Sequence, residues 1–149
     1  MTQLSTLKTF LWYNDGLHDA LNFYKSTFGE QMQVEQRHLY DTHLFTADFS
    51  IYRHEFIAMN TPGGDRFNNS ISLHIQVDGQ PEVDRLWDAI TSNGAPGLCG
   101  WCTDKWGINW QVTPFQMGEY LGHSDRAKAE ENMGILRQMT KIQLSQFVK

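Results

Sequence analysis

The 149-residue chain is 40% hydrophobic and carries 12 basic against 17 acidic residues, a net charge of −5, which fits one domain or two small halves with enough apolar side chains for a core. Its basic residues form no stripe that could follow a phosphate backbone, so we do not expect nucleic-acid binding. No apolar run is long enough to cross a membrane and the first residues hold no signal-like apolar region, so we expect a cytoplasmic protein without membrane contact.

The first half predicts one strand, one helix and three further strands. An apolar strand covers about residues 7–13, and the helix that follows is predicted to be capped by Asp15 and stopped by Gly29. The apolar residues of this helix recur at helical spacing: Leu17, Ala20, Leu21, Tyr24 and Phe28. Extended segments are predicted at about residues 31–40, 44–53 and 55–60. A loop over residues 61–65, with one proline and two glycines, then ends the half.

The second half repeats the same order. A strand covers residues 70–78, and a helix follows with Pro81 in its first turn and a stop at Gly94. Its apolar stripe consists of Val83, Leu86, Trp87 and Ile90. A hairpin over residues 99–113, with a turn at residues 104–107, completes the second β-α-β-β-β unit. A last helix is predicted from Ser124 or Asp125, with one face made of Ala129, Met133, Leu136 and Met139.

Alternating side chains predict which residues line a cleft. On the strand over residues 70–78, apolar side chains alternate with Ser72, His74 and Gln76. Because the helices cover the apolar face, the polar face should line the concave side. The same alternation sends Asn109, Gln111 and Thr113 of the closing strand to the cleft and Trp110 to the core. The candidate small-molecule-binding residues are Thr9, Leu11, Tyr13, Ser72, His74, Trp101, Asn109 and Gln111.

The two cysteines form a Cys-Gly-Trp-Cys motif at Cys99 and Cys102. In redox proteins of the thioredoxin type such a motif begins a helix, whereas here a hairpin follows. Positions three apart on a strand face opposite sides, which keeps the sulfurs apart. A redox or metal role remains an alternative, and two ordinary thiols are the favoured interpretation.

Several segments together resemble one known family. They are residues 10–16, 20–24, 70–73, 83–87, 99–101 and 104–114, and the last of these is the most specific. The chain resembles the PhnB-like branch of the vicinal oxygen chelate superfamily, often labelled 3-demethylubiquinone methyltransferase-like. That superfamily includes glyoxalases, bleomycin-resistance proteins and extradiol dioxygenases.

The resemblance implies an α+β fold of paired βαβββ modules, of the glyoxalase/bleomycin-resistance type, with a C-terminal helix. It implies a single domain over residues 1–149, with modules at about residues 5–62 and 68–116 and a C-terminal helical segment at residues 117–149. It also implies that the protein assembles as a homodimer. Each of these is an expectation for the structure.

The resemblance also allows a test for the superfamily's metal site. It puts Thr9, Phe56, Ser72 and Gln111 at the four ligand positions. A divalent cation prefers imidazole or carboxylate donors, so we expect neither a metal site nor another cofactor. His74 lies on the same strand face as Ser72, and two interpretations of it remain open. A local register shift could bring it into the cleft as a metal ligand, or it is a hydrogen-bonded polar residue.

These residues favour binding over catalysis. No nucleophilic triad, phosphate-binding loop or pair of isolated carboxylates stands out, and His74 is the one cleft side chain with a proton affinity near working pH. The sequence therefore predicts a protein that binds a small, partly aromatic molecule. The alternatives are a metal-dependent lyase, isomerase or dioxygenase, and a methyltransferase. The single glycine in the turn at residues 14–16 disfavours the methyltransferase, because methyl donors are normally held beside a glycine-rich turn.

Overall fold

The computed structural model describes residues 5–149. By their contacts these residues form two compact units, one that ends at Arg66 and one that begins at Phe67. Each unit contains its own four-stranded sheet. We call the two units the first and the second module.

The first module has the predicted β-α-β-β-β order. Its elements are β1 (Thr9–Tyr13), α1 (Leu17–Phe28), β2 (Met32–Tyr40), β3 (His43–Ile51) and β4 (His54–Asn60). The sheet order is β1-β4-β3-β2, with β1 parallel to β4 and the other neighbours antiparallel. One face of this sheet packs against α1, which leaves the opposite face open within the module.

Helix α1 supplies much of the core of the first module. All five residues of its predicted apolar stripe are buried, and the ring of Tyr24 stacks on Phe49 of β3 with centroids 6.3 Å apart. Gly29 ends the helix at φ +56°, as predicted. The predicted cap is wrong by one residue, because Gly16 at φ +83° is the N-cap and has no side chain to cap the helix. Asn60 Oδ1 of β4 accepts a hydrogen bond from the Leu17 amide, at 3.3 Å. Asp15 Oδ1 instead accepts a hydrogen bond from the Gly16 amide, at 2.7 Å.

The second module repeats this architecture. Its elements are β5 (Leu73–Val77), α2 (Gly79–Thr91), β6 (Ala95–Pro96), β7 (Trp101–Thr103) and β8 (Asn109–Pro114). The sheet order β5-β8-β7-β6 matches that of the first module, with one parallel pair, β5 with β8, and antiparallel neighbours elsewhere. The predicted repeat is confirmed, and the short strand β6 is the one element of it that the sequence did not indicate.

A buried carboxylate organises the hairpin between β7 and β8. Asp104 is 3% exposed, and its Oδ1 accepts hydrogen bonds from the amides of Trp106 and Ile108, both at 3.0 Å. Its Oδ2 accepts a third from the indole nitrogen of Trp110, also at 3.0 Å. Trp110 is 2% exposed, so its predicted place in the core is confirmed. Gly107 closes the turn at φ +88°, a backbone conformation that glycine adopts without strain.

Two helices follow the second sheet: α3 (Met117–Leu121) and α4 (Arg126–Leu136). Asp125 caps α4 by accepting hydrogen bonds from the amides of Ala127 and Lys128. Asn132, fully buried, bonds the backbone of Val148 through both ends of its side-chain amide, at 2.9 and 2.7 Å, which fixes the carboxyl-terminal residues. No helix within residues 5–149 is long and apolar enough to span a membrane.

Candidate functional site

The second sheet presents a row of neutral polar side chains on the face opposite α2. Ile75 and Val77 of β5 are buried, and the side chains between and before them point the other way. Strand pairing then aligns these side chains with their counterparts on β7 and β8, since paired residues share a face. We call this surface the polar face, and it consists of Ser72, His74, Gln76, Trp101, Thr103, Asn109, Gln111 and Thr113. All five candidate residues predicted in the second half belong to it.

Two hydrogen-bonded pairs occupy the middle of the polar face. Gln111 Nε2 donates to Ser72 Oγ at 2.7 Å, and His74 Nε2 lies 2.7 Å from Thr113 Oγ1. His74 lies in β5 and Ser72 directly before it, so both pairs link this segment to β8 and these side chains satisfy one another. His74 is thus a hydrogen-bonded polar residue, the second of the two alternatives that the sequence left open.

A depression of about 540 Å³ lies at the β6–β7–β8 end of the second sheet. Its principal side chains are those of Asn69, Leu98, Cys99, Trp101, Thr103 and Asn109. None of the residues that line it carries a charge, and the indole of Trp101 supplies a flat apolar wall. A depression of this size and composition suits a small uncharged molecule.

The two thiols of the Cys-Gly-Trp-Cys motif differ in accessibility. Both cysteines are free; Cys99 is half-buried and Cys102 is buried. Burial, together with the charge of Asp104, raises the pKa of the Cys102 thiol to about 12. Cys99 sits at φ +59°, directly before Gly100 at φ +82°, where the chain turns into β7. The motif therefore presents one accessible thiol and one inert thiol.

Three candidate residues of the first module lie on the face of their sheet that packs against α1, not on its open face: Thr9, Leu11 and Tyr13. Leu11 is 8% and Tyr13 1% exposed, and the Tyr13 hydroxyl meets that of Tyr24 on α1 at 2.9 Å. The expected inward orientation of these three residues is therefore wrong, since their strand face packs on α1. A buried tyrosine needs a partner for its hydroxyl, and Tyr24 provides one.

On β1, the side chains that reach the open face are the ones that the sequence did not indicate. Phe10 is 55% and Trp12 39% exposed, on the open face of the first sheet. Lys8 lies before them and forms ion pairs with Asp48 at 3.4 Å and Glu55 at 3.5 Å. Because the run Phe-Leu-Trp-Tyr is apolar throughout, it contains no alternation that could have indicated which side chains pack on the helix.

The first module has a depression of its own, of about 390 Å³, beside the start of α1. Unlike the depression of the second module, it is lined by charged side chains. Its lining includes Asp15, His18, Asp19, Arg37 and His43. A ligand of this depression would meet both acidic and basic groups, so the two depressions select for different chemistry.

The residues that the resemblance puts at the superfamily's metal positions do not fit a divalent cation. Thr9 lies on the helix-packing face, where its Oγ1 is 2.9 Å from His54 Nε2, and Phe56 is buried and apolar. Ser72 and Gln111 offer only a hydroxyl and an amide, which bond each other. Within residues 5–149, no three His, Cys, Asp or Glu side chains are grouped closely enough to hold a metal ion.

Comparison with known proteins gives one family and one fold. A sequence model of the 3-demethylubiquinone-9 3-methyltransferase family matches residues 5–113. A search of curated proteins finds no match. The family match covers the full β-α-β-β-β repeat except its last residue, Pro114.

Solved structures of low sequence identity share the fold. A PhnB protein from Bacillus cereus is 24% identical, with a TM-score of 0.65 over 74% of this chain and 99% of that one. A glyoxalase/bleomycin resistance protein/dioxygenase domain from Frankia is 16% identical, with a TM-score of 0.52 over 74% and 97%. The fosfomycin resistance protein FosX of Listeria monocytogenes, solved with Mn(II) and sulfate, is 16% identical, with a TM-score of 0.53 over 80% and 98%. These likenesses support the α+β glyoxalase/bleomycin-resistance fold.

Proposed function

The chain belongs to the 3-demethylubiquinone-9 3-methyltransferase family, and we propose that it is a PhnB-like protein that binds a small, uncharged, partly aromatic molecule at the polar face of its second module. One observation carries the proposal: the depression of about 540 Å³ at the end of that face has neutral lining residues and an indole wall. A ligand there gains apolar contact with Trp101 and hydrogen bonds from neutral groups. Charged ligands would lose hydration without gaining a counter-charge.

The same surface supports binding rather than bond making. General acid–base catalysis needs a side chain free to exchange a proton with the substrate. His74 is the titratable imidazole of the polar face, and it is engaged with Thr113 at 2.7 Å. The carboxylate nearest in sequence to β7, that of Asp104, is buried and holds the hairpin together. With Nε2 of His74 bonded to Thr113 and Asp104 buried, the polar face supports binding better than acid–base catalysis.

The name of the family implies methyl transfer, and the residues of this chain do not fit a methyl-donor cofactor. Such cofactors are normally bound by a doubly wound sheet with a glycine-rich turn after its first strand. Here both sheets are mixed, and the turn between β1 and α1 has Gly16 as its single glycine. Calorimetry with a methyl-donor cofactor is expected to give no heat of binding.

The metal-dependent alternative predicts a bound ion that touches His74 or Gln111. Elemental analysis of protein purified without a histidine tag tests it directly. We expect less than stoichiometric metal, because the amide of Gln111 is a weak donor and already bonds Ser72. One ion per chain would replace the binding proposal with the metal-dependent one.

Thermal unfolding in the presence of small molecules tests the binding proposal. The panel pairs neutral bicyclic aromatic compounds, including quinones, with carboxylates of the same ring systems. A ligand at 100 times its dissociation constant stabilises the folded protein by about 2.7 kcal/mol. We expect such shifts from neutral members of the panel. Shifts from the carboxylates alone, or from no compound at all, would contradict the proposal.

The proposal includes a homodimer. Exposed aromatic side chains on the open face of the first sheet, Phe10 and Trp12, support an association surface in that module. Light scattering on the full chain should give twice the monomer mass. A Trp12→Lys variant should reduce that mass if this surface is used, and a monomeric wild type would contradict the dimer.

A further inference from the structure

Asn109 is a largely buried residue of the polar face whose side-chain amide bonds no other described residue. The residue is 5% exposed and lines the depression. Within residues 5–149 its carboxamide makes no hydrogen bond. Every fully buried polar side-chain atom of these residues does have a partner, so the carboxamide must retain contact with solvent. The depression that it lines gives it that contact.

Two pairs of side chains on the polar face differ from it in this respect. Gln111 is bonded to Ser72, and His74 to Thr113. In the free protein the Asn109 carboxamide therefore has only water to bond, and a ligand with a matching donor and acceptor can take the place of that water. Asn109 is therefore a largely buried amide of this face that is left available to a ligand.

We propose that the depression binds a planar, uncharged ring with a cyclic-amide edge, which pairs with the Asn109 carboxamide while the ring lies against Trp101. This inference rests on the proposed function and specifies its ligand class. A carboxamide presents one donor and one acceptor side by side. A cyclic amide presents the complementary pair, so Asn109 Nδ2 donates to the ligand carbonyl and Oδ1 accepts from the ring N–H.

The reactivity of Cys99 can be used to measure whether a molecule occupies the depression. Its half-buried thiol lines the same depression. The other thiol, Cys102, is buried and its pKa is raised to about 12, so it carries almost no thiolate near neutral pH. Alkylation of the folded chain therefore reports on Cys99, and a molecule in the depression should slow it.

The test uses 2-quinolone, a flat cyclic amide, and two matched compounds. In 1-methyl-2-quinolone a methyl group replaces the ring N–H, and 1-naphthoate keeps a flat bicyclic ring but is charged. Iodoacetamide labelling of Cys99 in the full chain is followed by mass spectrometry. We expect 2-quinolone to protect Cys99 and the methylated compound to need about tenfold more for equal protection. We expect 1-naphthoate not to protect.

An Asn109→Leu variant tests the role of the carboxamide itself. It should bind the two quinolones with equal affinity, since neither can pair with leucine. Asn22→Leu, the same change at an exposed position of α1, should keep the tenfold difference. If Asn109→Leu does not fold, the comparison of the two quinolones on the wild type still decides the matter.

Three results would overturn the inference: equal protection by both quinolones, protection by 1-naphthoate, or no protection by millimolar 2-quinolone. The proposed function fails separately. If neutral compounds raise the melting temperature and slow the labelling of Cys99, but 2-quinolone has no advantage over its methylated form, only the inference is lost. If they raise the melting temperature while Cys99 reacts at an unchanged rate, binding occurs elsewhere and both are lost. If no compound does either, both are lost.

Discussion

The two modules have the same topology and use their open faces differently. In the first module the open face exposes the rings of Phe10 and Trp12, beside the ion pairs of Lys8. In the second it carries hydrogen-bonded neutral pairs such as Gln111 with Ser72. The order of strands is therefore a property of the repeat, whereas the chemistry is set by which side chains alternate along each strand.

The depressions differ in the same way. That of the first module includes Arg37 and the imidazoles of His18 and His43, and that of the second has neutral lining residues. Under the proposed function, we therefore expect the charge of a ligand to decide which module binds it. We expect neutral aromatic molecules to bind the second module and charged ones not to bind there.

The largest expected effect concerns the hairpin of the second module. Asp104→Ala removes the acceptor of three hydrogen bonds and leaves buried donors without partners. We expect a loss of about 3–5 kcal/mol in the free energy of unfolding, measured with urea. Asp104→Asn keeps one acceptor oxygen and should lose less. A loss below about 1 kcal/mol would show that the carboxylate does not hold the hairpin.

Tyr13→Phe tests whether a first-module residue belongs to the core rather than to a binding site. The change removes a hydroxyl that lies 2.9 Å from that of Tyr24, in the buried interior. We expect the free energy of unfolding to fall by about 1–2 kcal/mol. Affinity for neutral ligands should be unchanged. A Tyr13→Phe variant with wild-type stability but weaker ligand binding would show that Tyr13 belongs to the binding site.

The corresponding hairpin of the first module should respond in the opposite direction. Its two loop residues, Tyr52 and Arg53, have φ of +48° and +67°, which non-glycine residues adopt at a cost. Arg53→Gly should therefore raise the free energy of unfolding by about 0.5–1 kcal/mol. Arg53→Ala keeps the Cβ atom and serves as the control. Equal stability of the two variants would mean that the backbone there is not strained.

The smallest expected effect is that of a surface ion pair. Hydrogen bonds to Asp88 and Asp84 raise the pKa of Lys141 above 10.5. Since the folded-state pKa is raised, the stabilisation is complete below pH 10.5 and is lost as the pH rises through the raised value. Lys141→Met should lower the free energy of unfolding by about 0.5 kcal/mol or less at pH 7, and less still in 1 M salt. An effect that grows above pH 10.5 would contradict this account.

The sequence predicts the repeat well because its signals are local. The stripes on α1 and α2 follow helical spacing, and the strand with Ser72 and His74 alternates cleanly. The orientation of β1 could not be predicted, because Phe10 to Tyr13 are all apolar. The face of that strand is set by tertiary packing on α1, which buries Leu11 and Tyr13 and brings Tyr13 to Tyr24.

The candidate site shows the same limit. Alternation predicts that Asn109 and Gln111 share a face, and the structure has them so. It cannot predict that Gln111 finds a partner in Ser72 while Asn109 finds none, because that depends on which side chains meet across strands distant in sequence. Only the three-dimensional contacts therefore show that Asn109 is available to a ligand and that Gln111 is already bonded.

Chemical-shift mapping of the backbone amides tests the central claim most directly. A neutral aromatic compound that raises the melting temperature is titrated into ¹⁵N-labelled full-length protein. We expect the shifts to concentrate on β6, β7 and β8 and on the loop that contains Cys99. Shifts centred on Phe10 and Trp12, or beside the start of α1, would contradict the assignment of ligand binding to the second module.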